Sequence, residues 1–252
     1  MDMAWFRGYL ADHQPDGNWS LQADWAVRVC IRLYTQTDDE ACSAYVIAWA
    51  DSLLTADVCQ PECGKALFFA YGRTGEEKYR DAIVRVMARL GRNPGDTVLP
   101  AETLYAELPF RMAYEMKLGG MEKVGLCAAK FRQSFAALWD EATGLVSGGR
   151  YQSAIALLAL ADCIDLCADQ LYEHWRAMVD VYRAVLRGLL AADIPENPET
   201  AGMVLTALYA GVRMRIIDPE RYLPVADKWL AALRTAGFVT AADMLNAEGG
   251  AL

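Results

Sequence analysis

The amino-acid sequence predicts an all-α protein built of repeated helical hairpins. Three observations lead there. Alternating β-branched runs are scarce, whereas Ala, Leu, Arg, Glu and Met, which extend helices at little cost, abound. A unit of apolar helix, polar turn and second helix recurs at roughly 40–50 residues, the period of paired-helix arrays. The first helix of each unit is conspicuously apolar, which favours a closed toroid over an open solenoid, because a toroid covers its inner ring on both sides.

The clearest unit begins at "GKALFFAY" (Gly64–Tyr71), almost wholly apolar after Lys65, as an inner helix should be. The turn "GRTGEE" follows, with glycines to reverse the chain and acids to open the next helix. In "EKYRDAIVRVMARL", Tyr79, Ile83, Val86, Met87 and Leu90 recur at helical spacing, with charged residues over most of the rest. That pattern is an amphipathic helix with one wet face. "IRLYTQTDDEACSAYVIAWADSLL" writes the same unit around Tyr34, "FRMAYEMKLGGMEKVGLCAAKFRQSF" around Tyr114, and "LTALYAGVRMRIIDPERYLPVADKWLAAL" around Tyr209. A more divergent copy is "ALADCIDLCADQLYEHWRAMVDVYRAVL". The loops "RNPGDTVLP" and "ADIPENPET" are too short for domain linkers, so the reading is one helical-toroid domain over residues 1–252.

Composition narrows the function. At 252 residues and 54% apolar content there is ample material for a core. A net charge of −9 argues against nucleic acid and anionic membrane as partners. The N-terminal stretch has no basic segment followed by an apolar run, and no stretch approaches the ~18 continuous apolar residues of a membrane span. The seven cysteines therefore read as reduced, buried thiols of a cytoplasmic protein. Cys59/Cys63 and Cys163/Cys167 sit four apart, but a zinc site needs more ligands, and neither His13 nor His174 stands in a ligand motif. No metal or other cofactor is expected.

"LPAETLYAELPF" (Leu99–Phe110) is the stretch of greatest chemical interest, with Glu102 and Glu107 among apolar and aromatic residues. Pro100 suits the first helical position, so Glu102 reads as a first-turn carboxylate favoured by the helix's positive end. Glu107 falls about 140° further round the helix, so the two do not share one face.

Several short motifs in sequence order resemble the unsaturated rhamnogalacturonyl and glucuronyl hydrolases, glycoside hydrolase families 88 and 105. "GNWSLQADWAVRVCIRLY" is similar to their first barrel helix, and "GKALFFAYGRTGEEKYRDA" to a glycine-started inner helix, threonine-glycine turn and outer helix. "ETLYAELPFRMAYEMKLGG" resembles the W-L-D-G-L-Y…P-F helix, "WDEATGLVSGG" the D-x-x-T-G-L turn, and "PETAGMVLTALYAGVRMRIID" the late E-[ST]-[SA]-G helix. The resemblance runs from about Trp19 to about Leu233. It implies an (α/α)6-barrel-like toroid, incomplete at the C-terminus because little chain remains for a sixth hairpin.

For activity it implies hydration of the vinyl ether of a 4,5-unsaturated uronic acid. A carboxylic acid protonates the double bond, water adds, and the product rearranges to release the sugar. Alignment through Leu104, Tyr105, Pro109 and Phe110 puts Glu102 at the principal acid, one methylene longer than the family's aspartate. The second active-site aspartate is replaced by Gln60, which hydrogen-bonds a sugar but exchanges no proton at neutral pH. Trp19, Tyr105, Arg150, Tyr151 and Glu199 are the remaining lining candidates, against plain readings as core aromatics, a loop cation and a first-turn charge. The family's histidine and long loop after the T-G-L turn are missing, and its tryptophan position is Ile155. Two functions stay open. One is a trimmed hydrolase acting on an oligosaccharide. The other is a catalytically inactive toroid binding carbohydrate or protein, with self-association or a partner covering the gap in the ring.

Overall fold

The computed structural model describes residues 3–91, 93–167, 171–191 and 193–238. They form two compact units, one up to Arg89 and one from Leu90 onward. The expected shortfall after the last hairpin falls on residues 239–252, outside the described residues.

In the first unit, α1 (Met3–Asp12) precedes a hairpin of α2 (Leu21–Thr37) and α3 (Glu40–Thr55), then α4 (Gly64–Thr74) and α5 (Glu77–Leu90). The turns follow from single residues. Ser20 caps α2 by accepting from Ala23 N–H. Asp38 ends that helix in the left-handed region (φ 54°), and Asp39 at once caps α3 through Ala41 N–H. Gly75 ends α4 at φ 70°, a conformation that costs glycine little. The α4 helix runs three residues beyond the "GKALFFAY" block, so the reversal lies at Gly75 and not at Gly72. The outer helix α5 buries Tyr79, Ala82, Ile83, Val86 and Met87, and Tyr79 Oη donates to Asp51 on α3 at 2.9 Å.

The second unit repeats the pattern three times. Its helices are α6 (Ala101–Lys117) with α7 (Val124–Leu138), α8 (Arg150–Cys167) with α9 (Tyr172–Leu190), and α10 (Pro198–Arg213) with α11 (Pro219–Thr235). The first helices of these pairs, α6, α8 and α10, pack side by side. Twelve of the 18 residues of α8 and 13 of the 16 of α10 are buried, so both are covered all round as their composition demands. Their second partners are one-sided, and α9 buries only Met178, Val179, Tyr182, Val185, Leu186 and Leu189.

Between α7 and α8 the "WDEATGLVSGG" stretch forms a two-strand hairpin, β1 (Trp139–Asp140) with β2 (Leu145–Val146). Asp140 accepts from Ala142 N–H and Thr143 Oγ1, both at 2.9 Å. Those bonds, the hydroxyl's first, hold its carboxyl below the ordinary aspartate range. Gly144 (φ 68°) completes the reversal. No described helix is long and apolar enough to cross a membrane. All seven cysteines are free and buried. Burial pushes the Cys63 and Cys127 thiols up to about 12.

Candidate functional site

The loop "RNPGDTVLP" delivers the chain to the start of α6 and is fixed by buried polar groups. Lys130 on α7 is 3% exposed and donates to the Thr97 carbonyl (3.0 Å) and to Gln133 Oε1 (2.8 Å). Gln133 donates in turn to the Asp96 carbonyl, and Leu99 N–H donates to Ser134 Oγ. On the other side, Arg111 is 3% exposed, bonds Glu107 Oε2 at 2.9 Å and donates to the Leu90 and Gly91 carbonyls. Glu107 is thus a structural partner of Arg111, which accounts for its place one turn before that cation.

Pro100, with extended backbone (φ −64°, ψ 161°), is the cap of α6 and not its first helical residue. Ala101 opens the helix and Glu102 is its second residue. Its side chain is exposed, and Gln152 Nε2, from the first turn of α8, donates to Glu102 Oε1. The neighbouring Tyr151 is 37% exposed. Burial lifts its phenol above the ordinary value, and the charges of Glu199 and Glu102 add to the rise. Glu199 stands in the first turn of α10, capped by Asn197 Oδ1, which accepts from Glu199 N–H at 2.8 Å. Three inner helices therefore bring two carboxylates, an amide and a phenol together at their N-terminal ends. Such a set offers hydrogen-bond donors and acceptors of the kind that match hydroxyl groups, and both carboxylates, Glu102 and Glu199, are exposed.

Tyr105, one turn beyond Glu102, is half-buried. Arg150 is the first residue of α8, not a surface-loop cation: it is half-buried and its Nη2 donates to the Leu189 carbonyl at 3.2 Å. Burial lowers its pKa, and the Asp193 charge pulls the other way.

The remaining sequence candidates lie in the first unit. Trp19 precedes the α2 cap and packs edge-on against buried Trp49 (centroids 5.7 Å, 82°), so its ring is committed to packing. Gln60 is exposed and caps the short 3-10 turn Pro61–Cys63 through its backbone, without a side-chain bond.

Two carboxylates here are more buried than the sequence suggests, Glu62 reading as a solvated loop charge out of register with the expected second acid. Asp24, in the first turn of α2, is fully buried, with Arg28 Nε 2.5 Å from Oδ2 and Lys65 Nζ 3.3 Å from Oδ1. Beside the start of α4, Glu62 Oε2 is buried without a hydrogen-bond partner. The Asp24/Arg28 spacing of four was the available signal, but the same spacing describes any exposed helical pair. Gln152 was likewise invisible as the partner of Glu102. No group of three or more metal-ligating side chains occurs among the described residues.

No protein-family model and no curated protein sequence matches the chain. Solved structures do. A family 105 glycoside hydrolase from C. acetobutylicum ATCC 824 is 16% identical with a TM-score of 0.74, over 92% of this chain and 82% of that one. A possible family 105 member from Klebsiella pneumoniae is 14% identical at a TM-score of 0.70, over 87% and 70% of the two chains. A polysaccharide lyase is 16% identical at 0.68, over 92% and 80%. The likeness shows the fold, which is the all-α, (α/α)6-barrel-like one the sequence predicts.

Proposed function

We propose that this glycoside hydrolase-like protein acts on unsaturated uronyl oligosaccharides by acid-catalysed hydration, with Glu102 as the proton donor. The observation that carries the reading is the meeting of Glu102, Tyr151, Gln152 and Glu199 at the N-terminal ends of α6, α8 and α10. In a 4,5-unsaturated uronide the ring oxygen feeds electrons into the double bond. The proton therefore goes to C4, the cation forms at C5 beside the ring oxygen, and water adds there. The resulting hemiketal opens and releases the rest of the sugar. Gln152 orients the Glu102 carboxyl, Tyr151 offers a ring face and a hydroxyl, and Glu199 accepts from sugar hydroxyls. Tyr105 and Arg150, from the same two helices, complete the proposed lining set. In this reading the protein works in the cytoplasm on short oligosaccharides, in keeping with its seven free, buried thiols.

Gln60 favours a second reading, binding without turnover, because an amide stands where the resemblance expects the second acid. One assay separates the two. Unsaturated galacturonyl and glucuronyl disaccharides are incubated with the protein while the ultraviolet absorbance of the double bond is followed. The first reading expects a fall that Glu102→Gln reduces by about 10²–10⁴-fold, the usual worth of a general acid, with melting temperature retained. Stabilisation by the disaccharides without any fall supports the second reading. A rise in absorbance from a saturated uronate polymer would overturn both in favour of elimination.

A further inference from the structure

The second unit contains a cavity of about 710 Å³ remote from the Glu102 cluster along the inner helix α10. Glu199 lies in the first turn of α10 and Val212, a cavity residue, in its last turn. Thirteen residues at ~1.5 Å each put the two about 20 Å apart along the helix. Four arginines line the cavity: Arg183 and Arg187 from α9, Arg215 from the α10–α11 turn, and Arg221 from α11. One carboxylate, Asp218, shares the lining, and its Oδ1 is occupied in accepting from Glu220 N–H at 3.0 Å. The lining is thus strongly cationic in a chain whose net charge is −9. All four arginines are exposed, so solvent moderates their mutual repulsion, while their combined charge favours an anion at the opening.

The cavity's geometry is held from below. Arg183 Nε donates to the Ile216 carbonyl at 2.7 Å, and buried Tyr182 Oη donates to the Ala207 carbonyl at 2.6 Å. Arg215 is held in the left-handed region (φ 57°), an unfavourable place for a long side chain, and its side chain is among those lining the cavity. Arg221 lies over the Tyr222 ring, 5.3 Å from its centroid, which adds an aromatic wall. A cavity of this volume is of the size that holds small organic ligands. Guanidinium forks match planar and tetrahedral oxyanions in pairs of parallel bonds.

We propose that this cavity binds a small anion carrying at least two oxyanion groups, at a site separate from the Glu102 cluster. The shared chemistry is that of phosphate esters and polycarboxylates. The test is calorimetric titration of the full chain at low salt with fructose 1,6-bisphosphate, inorganic pyrophosphate and citrate, and with fructose and glucose as uncharged controls. One-to-one binding that weakens with added salt is expected for at least one of the anions and not for either sugar. Response to the two phosphates alone identifies a phosphate site, and response to citrate alone a carboxylate site. The double variant Arg187→Gln, Arg215→Gly removes two cations while leaving the Arg183 bond in place and giving the strained position a residue that accepts positive φ. It should bind about 10²-fold more weakly, as expected for two lost charge-assisted contacts, at an unchanged melting temperature. Absence of saturable binding to all three anions at millimolar concentration would sink the proposal. So would parental affinity in the folded double variant, since the anion would then sit elsewhere. If the variant fails to fold, Arg221→Gln alone, with an expected loss of about 10-fold, decides between the same two outcomes.

Discussion

Gly188 and Gly144 approach each other so closely that a β-carbon on Gly188 would lie 2.7 Å from the Gly144 carbonyl carbon, and closer still to its oxygen. The obstacle is backbone, so no rotamer relieves it. Gly188→Ala must therefore push the β1–β2 turn away from α9 or bend the helix. The expected cost is about 1–3 kcal/mol, read as a lower urea midpoint at unchanged slope. The partner position is different in kind: Gly144 is fixed by its positive φ, and a β-carbon there would meet the Gly188 Cα at an ordinary contact distance of 3.6 Å. The sequence offered "TGL" as a turn and so made Gly144 legible, whereas Gly188 looked like an unremarkable residue of an amphipathic helix. Side-chain partnerships were hidden for a similar reason. Asp24 is fully buried between Arg28 and Lys65, yet a carboxylate four residues before an arginine reads identically on a wet helix face. Glu102 could be named as a candidate because Leu104, Tyr105, Pro109 and Phe110 set its register against the motif it resembles. Gln152 could not, because an amide near a helix start carries no pattern.

At the scale of elements, the hairpin order was readable because burial pattern and turn chemistry agreed. The all-round burial of α8 and α10 and the one-sided burial of α5 and α9 are both written as composition and period. Less legible was how the loop before α6 is held. "RNPGDTVLP" names a polar connection, but Lys130, Gln133 and Ser134 come from a helix some thirty residues later. A lysine inside α7 reads as surface charge until its 3% exposure is known. The prediction at this scale is that Lys130→Met destabilises the protein by about 1–3 kcal/mol, the range for hydrogen bonds made by a charged donor. Faster amide exchange should be confined to the loop and the first turn of α6, measured by hydrogen–deuterium exchange. Uniformly faster exchange would instead mean that Lys130 supports the whole unit.

For the whole molecule, the described residues divide into two compact units, whereas the sequence leads to one domain over residues 1–252, which we retain as a proposal. Paired helices recur on both sides of Arg89, and the turns of three pairs are closed by Asp39, Gly75 and Asp218. Repeat units of this kind bury too little apolar surface alone and gain stability from neighbours, so their unfolding couples where neighbours pack well and separates where they do not. Scanning calorimetry discriminates. One domain should give a single transition whose van't Hoff and calorimetric enthalpies agree, on the order of 180 kcal/mol at about 60 °C for ~0.7 kcal/mol per residue. Independent units should give two transitions, with the smaller assigned to residues 3–89. A ligand of the Glu102 cluster would then raise only the larger one, because binding stabilises the unit that holds the site.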